Sequence, residues 1–119
     1  MLDKAWDILQ HYPKLHWSKI SLENTLLFLN DHAMAAFHKV LDEAELLVIA
    51  THPYHLKQAY AETLLQSSIA QLKVNTVFLE VRASNLPAQK LYEKLKFIKM
   101  GERRSYYQDG EDAWIYKLG

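Results

Sequence analysis

The stretch from residue 77 to residue 97 constrains the fold more than any other, because it predicts a strand, a turn and a helix in succession. Apolar residues at 77, 79 and 81 alternate with Phe78, Glu80 and Arg82, which is the two-residue period of a strand. Asn85 is suited to cap a helix, and Pro87 would lie in its first turn, where a missing N–H costs nothing. The helix would carry one apolar stripe formed by Ala88, Leu91, Tyr92 and Leu95. The stretch therefore predicts a strand that packs against the helix after it.

The same patterns predict the other elements, in the order two helices, three strands, a helix, a strand, a helix and two strands. Helices are expected over residues 2–11, from Ser18, from 56 to about 73 and after Asn85; strands are expected over 25–29, 33–41, 44–51, 77–82, 98–107 and 113–118. Tight turns are predicted at 42–43 and 108–111. The predicted fold class is α/β, with one mixed α+β sheet and four helices packed on it. Residues 1–119 are expected to form a single domain.

Composition excludes several classes of function. The 14 basic and 14 acidic residues give a net charge of zero, so neither a nucleic-acid partner nor an anionic membrane is expected. With no cysteine, the chain has no disulfide and no thiolate nucleophile, which is compatible with a cytoplasmic location. No wholly apolar run is longer than the one at residues 46–50, which is too short to span a membrane, and the N-terminus has no apolar signal core. His52 and His55 are three residues apart, but no further ligands follow at matched spacing, so no metal site is expected.

The segments L-E-V-R-A-S-N at 79–85 and L-Y-E-K-L-K-F at 91–97 resemble the acetyl-CoA-binding core of the GNAT acetyltransferases. The similarity is narrower to the RimI-type ribosomal-protein-alanine N-acetyltransferases, and it continues through Arg103, Arg104, Tyr106, Tyr107 and residues 109–113. The resemblance covers the chain from about Trp17. It implies the GNAT acyl-CoA N-acyltransferase fold with acetyl-CoA as cosubstrate. That fold usually starts with a strand, whereas this chain starts at the helix, so about six strands are expected.

The resemblance also implies where acetyl-CoA would bind. The backbone of Ile49, Ala50 and Thr51 would face the pantetheine arm, and Asn85 would hydrogen-bond the cosubstrate. The pyrophosphate would lie at residues 55–62, with the implied contacts Lys57, Gln58, Ala59, Tyr60, Ala61 and Glu62. Two glycines of the family align with Ala59 and Ala61, and an often basic residue aligns with Glu62. For residues 49–51 the alternative is that they only pack in a central strand. For the helix from residue 56 it is a core helix with no ligand at its start, and for Asn85 it is a helix cap alone.

Acetyl transfer to an amine needs a base that takes the amine's proton and an acid that protonates the leaving thiolate. By the resemblance, Glu80 would be the base and Tyr92 the acid. The alternatives are a structural ion pair of Glu80 with Arg82 or Arg103, and a Tyr92 that is only a core residue. Arg103, Arg104, Tyr106 and Tyr107 would shape a groove for the acceptor peptide.

Three functional hypotheses follow. The first is an N-acetyltransferase that moves acetyl from acetyl-CoA to the N-terminal amino group of a protein, such as a ribosomal protein. The second is a catalytically degenerate GNAT-fold protein that binds a partner or forms a homodimer, as suggested by Ala59, Ala61, Glu62 and Lys96, where lysine replaces a helix-ending glycine. The third is an acetyltransferase for small-molecule amines, with the same site and a different acceptor.

Overall fold

The computed structural model describes residues 1–56 and 59–119 of the chain. The helices are α1 (Leu2–Leu9), α2 (Lys19–Glu23), α3 (Tyr60–Leu72) and α4 (Leu86–Lys94). The strands are β1 (Leu26–Leu29), β2 (Ala33–Val40), β3 (Glu43–Thr51), β4 (Thr76–Arg82), β5 (Ile98–Arg103) and β6 (Ala113–Leu118). This order confirms the predicted succession of elements. None of the helices in the described ranges is long and apolar enough to cross a membrane.

The strands form one six-stranded mixed sheet in the order β1-β2-β3-β4-β6-β5. All neighbouring strands are antiparallel except β3 and β4, which run parallel. A parallel pair needs a crossover connection, and α3 provides it. The mixed sheet and the four helices confirm the predicted fold class.

The parallel pair separates part-way along its length. The pairing of β3 with β4 runs from Glu43↔Thr76 to Leu46↔Leu79 and goes no further, although β3 continues to Thr51 and β4 to Arg82. On its other side β3 pairs with β2 along its length, with a register shift that leaves Leu47 as an extra residue. Residues 47–51 of β3 and 80–82 of β4 therefore border an opening in the sheet, which we call the β3–β4 gap.

Two hydrophobic clusters lie on opposite faces of the sheet. On the first, the α3–α4 face, Leu64, Leu65 and Leu72 of α3 pack with Tyr92 and Phe97 against the strands. On the second, the α1–α2 face, the buried residues are Ala5, Ile8, Leu9, Leu22, Met34, Ala36, Val48 and Ala50. The helices of the second face cover β1, β2 and β3, whereas within the described ranges no helix covers β4, β5 and β6 on that side. The β3–β4 gap lies where this cover ends.

The local signals around α4 act as the sequence predicts. The Asn85 side chain accepts a hydrogen bond from the Ala88 N–H at 3.2 Å, and Pro87 lies in the first turn. At the other end Lys96 has φ 76°, and the Phe97 N–H donates to the Tyr92 carbonyl at 2.9 Å. This is the left-handed helix ending that usually takes glycine.

Several predicted boundaries were wrong. The first helix ends at Leu9 instead of residue 11. The turn between β2 and β3 is at Leu41 and Asp42, with Leu41 at φ 55°, so β3 begins at Glu43. β5 ends at Arg103 instead of residue 107, because side-chain contacts hold residues 104–112 as a loop. The helix expected from residue 56 is preceded by a 3-10 turn at Pro53–His55, and α3 itself begins at Tyr60.

Candidate active site

A cavity of about 290 Å³ occupies the β3–β4 gap. It is bordered by the connection between α1 and α2, the ends of β3 and β4, the start of α4 and the loop at 104–112. Among the residues proposed from the sequence, Ile49, Glu80, Asn85 and Tyr92 all line it. The folded chain thus brings together the two candidate catalytic groups, although they are twelve positions apart on different elements.

Residues from both faces of the sheet line the cavity. Glu80 alternates with the buried Leu79 and Val81, so its side chain points to the α1–α2 face, where Trp17 also borders the cavity. Ala88 and Tyr92 belong to the cluster on the α3–α4 face. Two reactants could therefore approach the gap from opposite faces and meet between Glu80 and Tyr92.

Glu80 forms an ion pair. Its Oε1 lies 3.3 Å from Nε of Arg103, and its side chain is 22% exposed. Of the two structural pairings that the sequence left open, the one with Arg103 is present. The Glu80 carboxylate is also the main cause of the raised pKa of Tyr106, which is an exposed residue of the loop at 104–112. The carboxylate is thus half-buried and reaches both the cavity and the loop.

Tyr92 is a buried phenol and one of the residues that line the cavity. Burial raises the pKa of Tyr92 to about 12, with a smaller contribution from Tyr107. Its ring packs near Phe97 and Tyr116, with centroids 5.8 and 6.2 Å away. Tyr116 is a useful contrast, because its hydroxyl donates to Glu93 at 2.8 Å and so has a structural partner. At neutral pH the Tyr92 phenol is therefore protonated, so it has a proton to donate, although the raised pKa makes it a weaker acid than an exposed tyrosine.

Arg82 connects the loop at 104–112 to the end of β4, a role that sequence analysis missed. Its Nη1 donates to Asp109 at 2.8 Å and to Glu111 at 2.9 Å, and its guanidinium lies 4.0 Å from the Tyr107 ring centroid. Glu111 also accepts from the Ser84 N–H at 2.8 Å. These contacts hold Tyr107 at the edge of the cavity. The acidic segment D-G-E-D at 109–112 indicates a cationic partner, but the sequence alone does not identify that partner as Arg82.

A second cavity, of about 350 Å³, lies at the start of α3. It is lined by Thr51, Ala59, Ala61, Glu62 and by Lys94 of α4. Ala59 is the N-cap residue of α3, and no side chain caps the first N–H groups of that helix. The predicted contacts Lys57 and Gln58 lie outside the described residues. This cavity is where the resemblance places the pyrophosphate.

Glu62 does not present an unbalanced charge to this cavity, because Nζ of Lys94 lies 2.8 Å from its Oε1. The Thr51 carbonyl already accepts a hydrogen bond from the Tyr12 hydroxyl at 2.6 Å. The Tyr60 ring packs against His32 at 4.6 Å, away from the candidate catalytic groups. Of the implied cosubstrate contacts, Ala59, Ala61 and Glu62 therefore share one cavity, while Tyr60 could contribute only backbone. The side chain of Ala50 is buried in the cluster under α1.

Four histidine rings pack together beside these residues. The ring centroids of His32 and His55 are 3.5 Å apart, and those of His11 and His52 are 4.8 Å apart. In the part of the chain that the structure describes, no group of three or more histidine, aspartate or glutamate side chains could hold a metal ion. The contact between His52 and His55, with ring centroids 5.9 Å apart, joins the two pairs.

Comparison with known proteins relates this geometry to a family. The Acetyltransferase (GNAT) family profile matches residues 5–97. The [ribosomal protein bS18]-alanine N-acetyltransferase of Salmonella typhimurium is 38% identical over 133 aligned positions, which cover 98% of this chain and 90% of that protein. The Escherichia coli protein of the same name is 47% identical over 94 positions, covering 71% of this chain and 64% of that one.

Solved structures of acetyltransferases also resemble this chain. The crystal structure of the ribosomal-protein-S18-alanine N-acetyltransferase from Escherichia coli has a TM-score of 0.84 at 38% identity, covering 98% of this chain and 86% of that one. A Bacillus subtilis acetyltransferase in complex with CoA shares the fold, with a TM-score of 0.80 at 17% identity, covering 98% and 91% of the two chains. The profile match over residues 5–97, together with these similarities, shows that the chain belongs to the GNAT family of acetyltransferases.

Proposed function

We propose that this chain transfers the acetyl group of acetyl-CoA to the N-terminal amino group of a protein, such as a ribosomal protein. The observation that carries the proposal is that Glu80 and Tyr92 line one cavity at the β3–β4 gap. The names of the similar proteins favour a protein N-terminus as acceptor. The proposal treats residues 1–119 as one acetyltransferase domain. A cytoplasmic location is compatible with the absence of cysteine.

In the proposed reaction the amine nitrogen attacks the thioester carbonyl, a C–N bond forms and the C–S bond breaks. Glu80 accepts the proton that the amine loses, directly or through water. Tyr92 donates its hydroxyl proton to the departing thiolate, for which its pKa of about 12 keeps the phenol protonated at neutral pH. The placement of the two groups on either side of the gap supports these separate roles.

Acetyl-CoA is proposed to bind on the α3–α4 face, with its thioester in the β3–β4 gap. On the side of β3 that faces β4, Ile49 and Ala50 have no strand partner, and the backbone of this stretch would contact the pantetheine arm. Asn85 borders the same cavity. The pyrophosphate would lie at the start of α3, against Ala59 and Ala61, where a helix N-terminus favours an anion. Lys57, Gln58, the Tyr60 backbone and the Thr51 backbone remain proposed contacts.

The test is acetylation of an alanine-starting peptide by acetyl-CoA, followed by mass spectrometry. Glu80→Gln removes the base and keeps the shape of the side chain, so the rate should fall about a hundredfold or more. Glu102→Gln is the matched control, because Glu102 pairs with Lys99 on the opposite face and should leave the rate unchanged. Equal rates for wild type and Glu80→Gln would contradict the proposed base.

A second candidate function is acetylation of a small-molecule amine, which the same pair of residues could perform. The loop at 104–112 favours the peptide acceptor, because Arg82 fixes it beside Glu80 as one wall of a groove. Faster turnover of small amines than of any peptide amine would favour the second candidate. Failure of any acetyl-CoA binding would leave only the GNAT fold and support the catalytically degenerate alternative.

A further inference from the structure

We propose that Arg103 occupies, in the free protein, the position on Glu80 that the ammonium group of the acceptor must take. The acceptor would then bind by displacing a guanidinium from the carboxylate, one cation exchanging for another. This inference rests on the proposed function, since it concerns the acceptor side of the same site.

The geometry of the ion pair places Arg103 on the acceptor side. Arg103 lies opposite Ala113 on β6, and Ala113 lies opposite Arg82 on β4, so all three share the face to which Glu80 points. The guanidinium Nε is 3.3 Å from Glu80 Oε1. The Arg103 side chain is 55% exposed against 22% for Glu80, so the guanidinium reaches the carboxylate from solvent.

The cavities around Glu80 separate the two reactants. A further cavity of about 300 Å³ runs along the α1–α2 face, and Arg103 lines it. Glu80 is the residue that this cavity shares with the one in the β3–β4 gap, and Arg103 does not line the latter. The guanidinium therefore leaves the path of the thioester open and covers the carboxylate only on the side from which the amine would come.

The cavity that holds Arg103 also offers it other partners. Glu43 and Glu45 line the same cavity, and the Tyr106 ring lies 5.6 Å from the guanidinium carbon. A displaced Arg103 would therefore remain near carboxylates and would not be left as an uncompensated cation. Because an exposed ion pair is weak, the acceptor needs to overcome only a small preference for Arg103.

The exchange would distinguish acceptor from product. An N-terminal amine arrives mostly as a cation and can replace Arg103 on Glu80. The acetylated product is a neutral amide, so it has no charge with which to hold the carboxylate. Arg103 would return to Glu80 and favour product release.

The test measures KM and kcat for an alanine-starting peptide in wild type, Arg103→Gln and Arg103→Lys. Without the competing guanidinium, Arg103→Gln should lower the KM for the peptide by about two- to fivefold, the range expected of an exposed ion pair. Arg103→Lys should return KM towards the wild-type value. The control Lys99→Gln removes a cation of the same strand that packs on Trp114 on the opposite face, and should not change KM. An unchanged or raised KM in Arg103→Gln would overturn the proposal.

A binding measurement separates this inference from the proposed function. Calorimetry with the same peptide in the presence of CoA requires no turnover, so it is informative even if wild type acetylates nothing. Tighter peptide binding by Arg103→Gln than by wild type would support the exchange at Glu80. Equal binding, or binding by neither protein, would overturn it, whereas absent turnover alone would contradict only the acetyltransferase proposal.

Discussion

Tyr92 and Tyr116 show how burial and hydrogen bonding assign different roles to the same side chain. Both are buried in one cluster, and burial is the main cause that raises the pKa of each to about 12. Tyr116 donates its hydroxyl to Glu93, whereas the Tyr92 ring borders the cavity in the β3–β4 gap. This difference is why we propose Tyr92, and not Tyr116, as the proton donor.

Tyr92→Phe should therefore lower kcat for peptide acetylation by about a hundredfold, with only a small change in stability. The phenylalanine ring keeps the packing against Phe97 and Tyr116, and only the hydroxyl is lost. Tyr116→Phe is the matched control: it removes the bond to Glu93 and should cost about 1 kcal/mol of stability while kcat is retained. A full rate in Tyr92→Phe would show that the thiolate obtains its proton elsewhere.

Lys96 has a left-handed backbone conformation, which glycine adopts more easily than lysine. A non-glycine residue at φ 76° is strained, so Lys96→Gly should increase the free energy of unfolding by about 1 kcal/mol. Urea unfolding measures the change. Lys90→Gly is the control, because Lys90 is exposed inside α4 and glycine there should destabilise by about 0.5–1 kcal/mol. Destabilisation in both variants would mean that Lys96 makes a compensating contact.

At the scale of elements, the start of α3 and the end of α4 are joined across the proposed phosphate site. Glu62 of α3 stands where the family often has a basic residue. Its ion pair with Lys94 brings a cation from α4 to the same place. Two substitutions should then have opposite effects on the affinity for acetyl-CoA.

Glu62→Gln should tighten acetyl-CoA binding by about two- to fivefold, because it removes a negative charge near the phosphates and frees Lys94. Lys94→Gln should weaken binding by a similar factor. Isothermal titration calorimetry measures both affinities. If both variants change affinity in the same direction, the pair serves to hold α3 to α4 and does not act on the phosphates.

The elements themselves follow from sequence patterns, but several contacts of the site do not. The two-residue period of β4 gives the face of Glu80, and Asn85 with Pro87 gives the start of α4. The pairs Arg82–Glu111, Glu62–Lys94 and Glu80–Arg103 join residues 23 to 32 positions apart. Their formation depends on loop paths and strand order, which no local period specifies.

At the scale of the whole molecule, one parallel strand pair among antiparallel neighbours organises the site. β3 and β4 end their pairing at Leu46 and Leu79, and the carboxyl ends of parallel strands are where α/β sheets bind ligands. Helices cover the first face at this point, and on the second face the cover of α1 and α2 ends beside Glu80. In the proposed function, the cosubstrate would approach the gap from the first face and the acceptor from the second.

The most direct test of this account is a crystal structure of the protein grown with CoA. We expect the CoA sulfur in the β3–β4 gap, within hydrogen-bonding reach of the Tyr92 hydroxyl, and the pyrophosphate at the start of α3. CoA bound away from the gap, or a gap filled by side chains with Tyr92 turned from the sulfur, would contradict it.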